Sequence, residues 1–150
     1  MDKDDVVDVL NNLIETSKDG EYGFRTSAEH AQADSLRTLL LRRADQCRQA
    51  VIELEAMVRH YGGSPDEHGS VSGALHRGWV AMKTTLTTYD DKAILEECER
   101  GEDVAKARYR KALEETLPPD VQALVQRQYE GVQRNHDEVK ALRNQTRASS

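Results

Sequence analysis

Apolar side chains recur along this chain at alternating three- and four-residue steps, the repeat of one face of an α-helix. From about Asp4 to Ala31 the seam is Val6, Leu10, Leu13, Ser17, Gly20, Phe24 and Ala28. From about Asp34 to Tyr61 it is Leu36, Leu40, Cys47, Val51, Leu54, Val58 and Tyr61, with Asp34 or Ser35 suited to cap its start. Gly62-Gly63-Ser64-Pro65 stops that segment with a permissive C-cap and a residue that cannot continue a helix. A third seam, about Asp90 to Thr116, carries Ile94, Leu95, Cys98, Ala105, Tyr109, Ala112 and Leu113, and ends at Leu117-Pro118-Pro119. Pro119 and Asp120 open a fourth, Val121, Leu124, Val125, Gln128, Val132, His136, Val139 and Leu142, before a polar tail from Asn144 to Ser150. The pattern predicts four helices of about 25 residues, each roughly 35 to 40 Å long at 1.5 Å per residue. No stretch alternates apolar and polar residues as a strand would.

Tight corners make the first and second helices, and the third and fourth, antiparallel neighbours. Ser64 to Tyr89 is too long for a turn and has its own apolar set of Val71, Leu75, Trp79, Met82 and Leu86, which predicts a short crossover helix. The expected fold is therefore all-α: two helical hairpins joined by a crossover, within a single domain over residues 1–150. His76, Arg77, Trp79 and Lys83 could line a ligand or partner surface, but packing of Trp79 onto the bundle is the preferred reading.

Composition narrows the partners. With 21 Lys plus Arg against 27 Asp plus Glu, the net charge is -6 and no basic block stands out, which argues against a nucleic-acid backbone or an anionic membrane. No apolar run reaches the roughly 18 residues of a membrane helix. The start, Met1-Asp2-Lys3-Asp4-Asp5, lacks the basic flank and apolar stretch of a signal peptide, so a cytoplasmic location is expected. Cys47 and Cys98, far apart and each inside an amphipathic stretch, are expected to be buried thiols rather than a redox pair or a zinc half-site. A disulfide between them is not expected in a reducing compartment.

Candidate chemistry lies where polar residues interrupt the seams, because a carboxylate facing a bundle core must be paired, protonated or metal-bound. Glu21 and Glu102 qualify, and each follows a mid-helix glycine in a weak internal repeat, Asp19-Gly20-Glu21 and Arg100-Gly101-Glu102. A mid-helix glycine costs about 1 kcal/mol relative to alanine, which suggests close backbone approach or room for a ligand. The competing reading puts each glutamate at a seam edge, reaching solvent or an arginine. His136 and Gln128 fall on the inward stripe of the fourth helix, with Gln133 three residues before His136. Gln46 and Gln49 flank Cys47, and pairs three residues apart share a face.

These features are carried by Leu13-Ile14-Glu15-Thr16, Asp19 through Arg25, Leu54 through Pro65, Gly73 through Trp79, Cys98 through Asp103, and His136-Asp137. As a set they resemble the ferritin-like superfamily, specifically a small bacterial four-helix-bundle family of unknown function within it. The resemblance implies a di-iron plan, with one Glu on each of the first and third helices and Glu-x-x-His on the second and fourth. Glu21 and Glu102 match the lone glutamates, and Tyr109 matches a tyrosine often found beside such sites. The second half departs, with Gln46-x-x-Gln49 and Gln133-x-x-His136 in place of Glu-x-x-His. Neutral amides cancel no cationic charge, so ferroxidase chemistry is not expected.

Glu21, Glu102 and His136 could then hold at most one divalent ion, iron or manganese. The preferred alternative is a metal-free hydrogen-bonded cluster near the bundle centre, with Gln46, Gln49, Gln133, Gln128 and Tyr109 as a surrounding polar layer and no cofactor. No phosphate loop, HExxH, EF-hand or readable nucleophile offers a competing chemistry. Three readings stay open: a non-enzymatic bundle with a degenerate site and, from the resemblance, a stress-related role; a metal-binding oxidase or iron-storage protein; and a helical interaction module. A homo-oligomer or a protein partner fits each of them.

Overall fold

The computed structural model describes residues 1–65 and 90–149. They form α1 (Lys3–His30), α2 (Asp34–His60), α3 (Asp91–Leu113) and α4 (Pro119–Ser149), with no strand among the described residues. The four long helices lie where the seams place them. The crossover helix expected around Trp79 falls outside the described residues.

The helix ends follow from local chemistry. The Asp2 carboxylate accepts the Asp5 amide at 2.9 Å to cap α1, and Asp90 accepts the Ala93 amide at 2.7 Å to cap α3. The expected cap of α2 by Asp34 or Ser35 is not formed, since Ala33 is its N-cap residue and contributes no side-chain bond. Asp91 serves that corner from across the bundle instead. Its two carboxylate oxygens accept the Gln32 and Ala33 amides at 2.8 and 3.0 Å, which ties the start of α3 to the α1–α2 corner.

Helix α3 ends at Leu113, earlier than Thr116, as the Glu114 and Glu115 amides turn back to Lys111 and Ala112 carbonyls at 3.1 Å. At the other end of the chain, the stretch expected as a polar tail from Asn144 continues as the last turns of α4 through Ser149. Polarity alone does not end a helix that lacks a Gly or Pro stop signal.

The end of α2 is a Schellman turn. Gly62 has φ +80°, its amide bonds the Arg59 carbonyl at 3.0 Å, and the Gly63 amide bonds the Val58 carbonyl at 3.0 Å. A β-carbon on Gly63 would lie 2.8 Å from both γ-carbons of Val7, so that glycine lets the turn close onto α1. Gly62→Ala meets no steric neighbour and isolates the left-handed backbone cost. It should lower stability by about 1–2 kcal/mol in urea denaturation.

Two apolar clusters occupy opposite ends of the bundle. One joins Phe24 and Ala28 of α1, Leu36, Leu40 and Ala44 of α2, Ile94 and Cys98 of α3, and Val139 of α4. The other joins Val6, Leu10 and Leu13, Val51, Leu54 and Val58, Tyr109 and Ala112, and Val121 and Val125. In this register α2 ends at one pole of the bundle and α3 begins at the other, which is the two-hairpin, crossover topology expected from the spacing. Helices α1 and α3 pack against one another across the core, whereas α2 and α4 touch sparsely. Among the described residues no helix is long and apolar enough to cross a membrane.

Candidate functional site

Between the two clusters lies a layer of polar side chains. Its centre is Glu102 of α3, 3% exposed, whose Oε2 accepts a hydrogen bond from Nη2 of Arg43 on α2, itself 2% exposed. Arg43 stacks over the Phe24 ring at 5.2 Å from its centroid. Burial drives the Glu102 carboxyl upward to about 7, while the Arg43 guanidinium, the strongest opposing influence, pulls it down. Taking both charges from water costs several kcal/mol per ion, which their attraction offsets only when the remaining polar atoms are also satisfied.

Glu102 is inward as the seam requires, but Glu21 is not its partner. Glu21 sits half-buried at the edge of α1, where Arg25 pairs with it at 3.1 Å and with Asp45 of α2 at 3.2 Å. One residue past Gly20 is a rotation of about 100° on a helix. That step, together with an arginine four residues on, turns the carboxylate outward. His136 is buried at 7% exposure, as its stripe position requires, yet its Nε2 lies 2.6 Å from Asp103 of α3 rather than on Glu102.

The expected convergence of Glu21, Glu102 and His136 therefore does not form. Among the described residues, the group of carboxylate and imidazole atoms lying within 4.8 Å of one another is Glu99, Asp103 and His136. Arg143 lies against Glu99 and Asp103 lies against His136, yet Glu99 Oε2 and both His136 ring nitrogens have no hydrogen-bond partner among the described residues.

The polar layer expected around the site is partly realised. The Tyr109 hydroxyl, buried in the core, donates to Gln128 Oε1 at 2.8 Å and lies 3.4 Å from the Ser17 hydroxyl. Gln128 donates in turn to Glu53 at 3.0 Å. Gln133 donates to the Tyr129 hydroxyl at 3.1 Å, and Gln46 accepts from Asn135 at 2.9 Å on the surface, so both are peripheral. Gln49 lines the cavity described next. Burial raises Tyr109 well above its ordinary range and pushes the Cys98 thiol up to about 12, so these groups are poor nucleophiles. Both cysteines are free; Cys98 is buried and donates to Ser27 at 3.7 Å, while Cys47 is partly exposed.

A cavity of about 430 Å³ adjoins the ion pair, lined among others by Gly20, Phe24, Arg43, Cys47, Gly101 and Glu102. The two glycines of the internal repeat thus flank the same space. At Gly20 a β-carbon would approach Cys47 Sγ to 3.0 Å, the close approach that the mid-helix glycine implies.

A di-iron centre does not fit this donor set. Glu102 is the one inward carboxylate of the expected ligands, and a guanidinium already faces it. Two divalent cations beside Arg43 would meet a like charge, and Gln46 and Gln133 are neutral and lie at the periphery instead of bridging there. Arg43 lies off the second seam as the apolar residues define it: that seam skips from Leu40 to Cys47, and position 43 falls inside the gap.

Comparison with solved structures shows the fold. The Mycobacterium smegmatis Dps1 protein, in a mutant form, superposes with a TM-score of 0.77 at 16% identity, covering 94% of this chain and 96% of that one. The Dps protein of Vibrio cholerae O1, described as a member of a broad superfamily of ferritin-like diiron-carboxylate proteins, gives 0.75 at 16% identity over 93% and 89%. A dodecameric thioferritin of Bacteroides fragilis gives 0.73 at 13% identity over 99% and 92%. No curated protein matches the sequence. Residues 5–115 match the family described as a domain of unknown function, DUF2383. The chain belongs to that family, and its fold is the ferritin-like four-helix bundle.

Proposed function

We propose that this protein is a non-enzymatic ferritin-like bundle, a binding or structural module with an internal ion pair at its centre. The observation that supports this is the Arg43 guanidinium bonded to Glu102 in the bundle centre. It supplies the positive charge that a buried carboxylate requires, and it comes from the chain itself. Glu21 is likewise taken, by Arg25, and His136 lies beside Asp103 rather than beside Glu102. Free Cys47 and Cys98 suit a reducing compartment, and the cytoplasm is the location this reading adopts. A second copy of the chain is the partner it takes up, by analogy with the dodecameric Bacteroides protein. An iron-related or stress-related role would then act through binding or assembly rather than through oxidation at the bundle centre.

Elemental analysis of protein purified without chelator, followed by anaerobic Fe(II) titration, tests this reading. Substoichiometric metal and no saturating uptake are expected. Stoichiometric iron that Glu102→Gln or His136→Ala removes would overturn it.

A further inference from the structure

Helices α2 and α4 touch sparsely, and along their middle they are joined by polar bridges: Arg42 to Glu138 at 2.9 Å, Asn135 to Gln46 at 2.9 Å, and Arg127 to Glu53 at 3.0 Å. Between the second and third bridges stand Ala50 of α2 and Gly131 of α4, and both line the 430 Å³ cavity. The exposed side chains of Gln49 and Arg134 line it too, so this gap is a window through which the cavity opens to solvent. A β-carbon on Gly131 would meet only Arg134 Nη2 within 4 Å, at 3.8 Å. Packing therefore does not demand this glycine, which weakens the helix relative to alanine. What its missing side chain does is leave the window clear.

The other charged and amide side chains of the lining are engaged with one another. Arg43 bonds Glu102, Arg127 and Gln128 bond Glu53, and Asn135 bonds Gln46. Gln49 and Arg134 are the exceptions, with no hydrogen bond or ion pair among the described residues. The bridges pair 46 with 135 and 53 with 127, a register that sets Gln49 level with Gly131, and the Arg134 guanidinium folds back over that glycine. An amide on α2 and a guanidinium on α4 thus flank the window, and both donate N–H groups to a carboxylate. Three arginines against two glutamates also leave the lining positive. We propose that the window and the cavity behind it bind a small organic monocarboxylate, its carboxylate held by Arg134 and Gln49 and its uncharged body inside, in a volume within the range of small-molecule sites. The proposal rests on the binding-module reading above and deepens it, and it uses neither Glu102 nor His136 as a ligand.

Benzoate is the probe, titrated into the intact protein at fixed pH and ionic strength and followed by backbone amide NMR, with metal content measured on the same sample. Saturable shifts centred on Gln49, Gly131 and Arg134 are expected at millimolar concentrations, the affinity that about nine heavy atoms can supply. Benzamide keeps the ring without the charge and should bind at least about tenfold more weakly, as should benzoate to Arg134→Gln, because a hydrogen bond between charged groups is worth that factor or more. Gly131→Leu fills the window and should abolish saturation while the melting temperature holds or rises, since leucine suits a helix better than glycine. Benzamide or inorganic sulfate binding as tightly as benzoate, wild-type affinity in Arg134→Gln, binding retained in Gly131→Leu, or no saturation would each overturn the carboxylate site. Failure of the metal-free reading would show separately, as stoichiometric metal in the elemental analysis.

Discussion

Arg43→Met is expected to lower the unfolding free energy by about 3–5 kcal/mol near pH 8, because it leaves a buried carboxylate without its counter-charge. The double variant Arg43→Met, Glu102→Leu removes both charges and keeps the volume apolar. It should recover most or all of that loss, since replacing a buried ion pair with packed hydrophobic residues is commonly neutral or stabilising. Urea denaturation of the two single variants and the double variant forms the cycle that measures this coupling. If the double variant is as unstable as Arg43→Met, Arg43 contributes through its stacking on Phe24 instead of through charge. The single-variant cost should shrink as the pH falls and Glu102 takes up a proton.

The second large effect is the pH dependence of stability itself. Glu102 has a folded-state value of about 7, raised from an ordinary 4.5 chiefly by burial. A raised carboxyl binds its proton more tightly folded than unfolded, so its favourable contribution is complete below about 4.5 and lost as the pH rises through about 7. Across that window the unfolding free energy of the wild type should fall by on the order of 3 kcal/mol from this group. Glu102→Gln has no such proton and should flatten the slope. The measurement is the difference between the two proteins in urea, taken from pH 4.5 to 8 at fixed ionic strength, so that titrations common to both cancel. Identical slopes would mean that Glu102 remains ionised throughout, held by Arg43.

How much of this was legible in the sequence varies with the range of the interaction. Helix positions were readable because a seam such as Val6, Leu10, Leu13, Ser17 is a local periodicity, and its members are buried in the structure. Topology followed from loop length, and the placement of Ile94 beside Ala28 and Leu36 agrees with it. Inwardness was readable for Glu102, Gln128 and His136, all of which lie on their seams and are buried.

Which groups meet was not legible, because a seam defines a direction and not a partner. His136 meets Asp103, and Glu102 meets an arginine that occupies a gap in the second seam. A matching gap between Cys98 and Ala105 holds Glu102, so two oppositely charged residues in matching gaps were the available signal. Glu21 shows the reverse error. Its resemblance to Glu102 lay in the preceding glycine, whereas Arg25, four residues on, decided its direction. The start of α2 departs from the local capping rule for a related reason, since its amide partner is Asp91, remote in sequence.

The central claim is that a guanidinium, not a metal, faces the buried carboxylate at the middle of this ferritin-like bundle. It is tested most directly by anomalous diffraction from crystals grown with excess Mn(II). The expected result is Arg43 hydrogen-bonded to Glu102 with no anomalous peak within coordination distance of that carboxylate. A peak ligated by Glu102, with Arg43 swung away and Glu21 or His136 drawn in, would contradict the account.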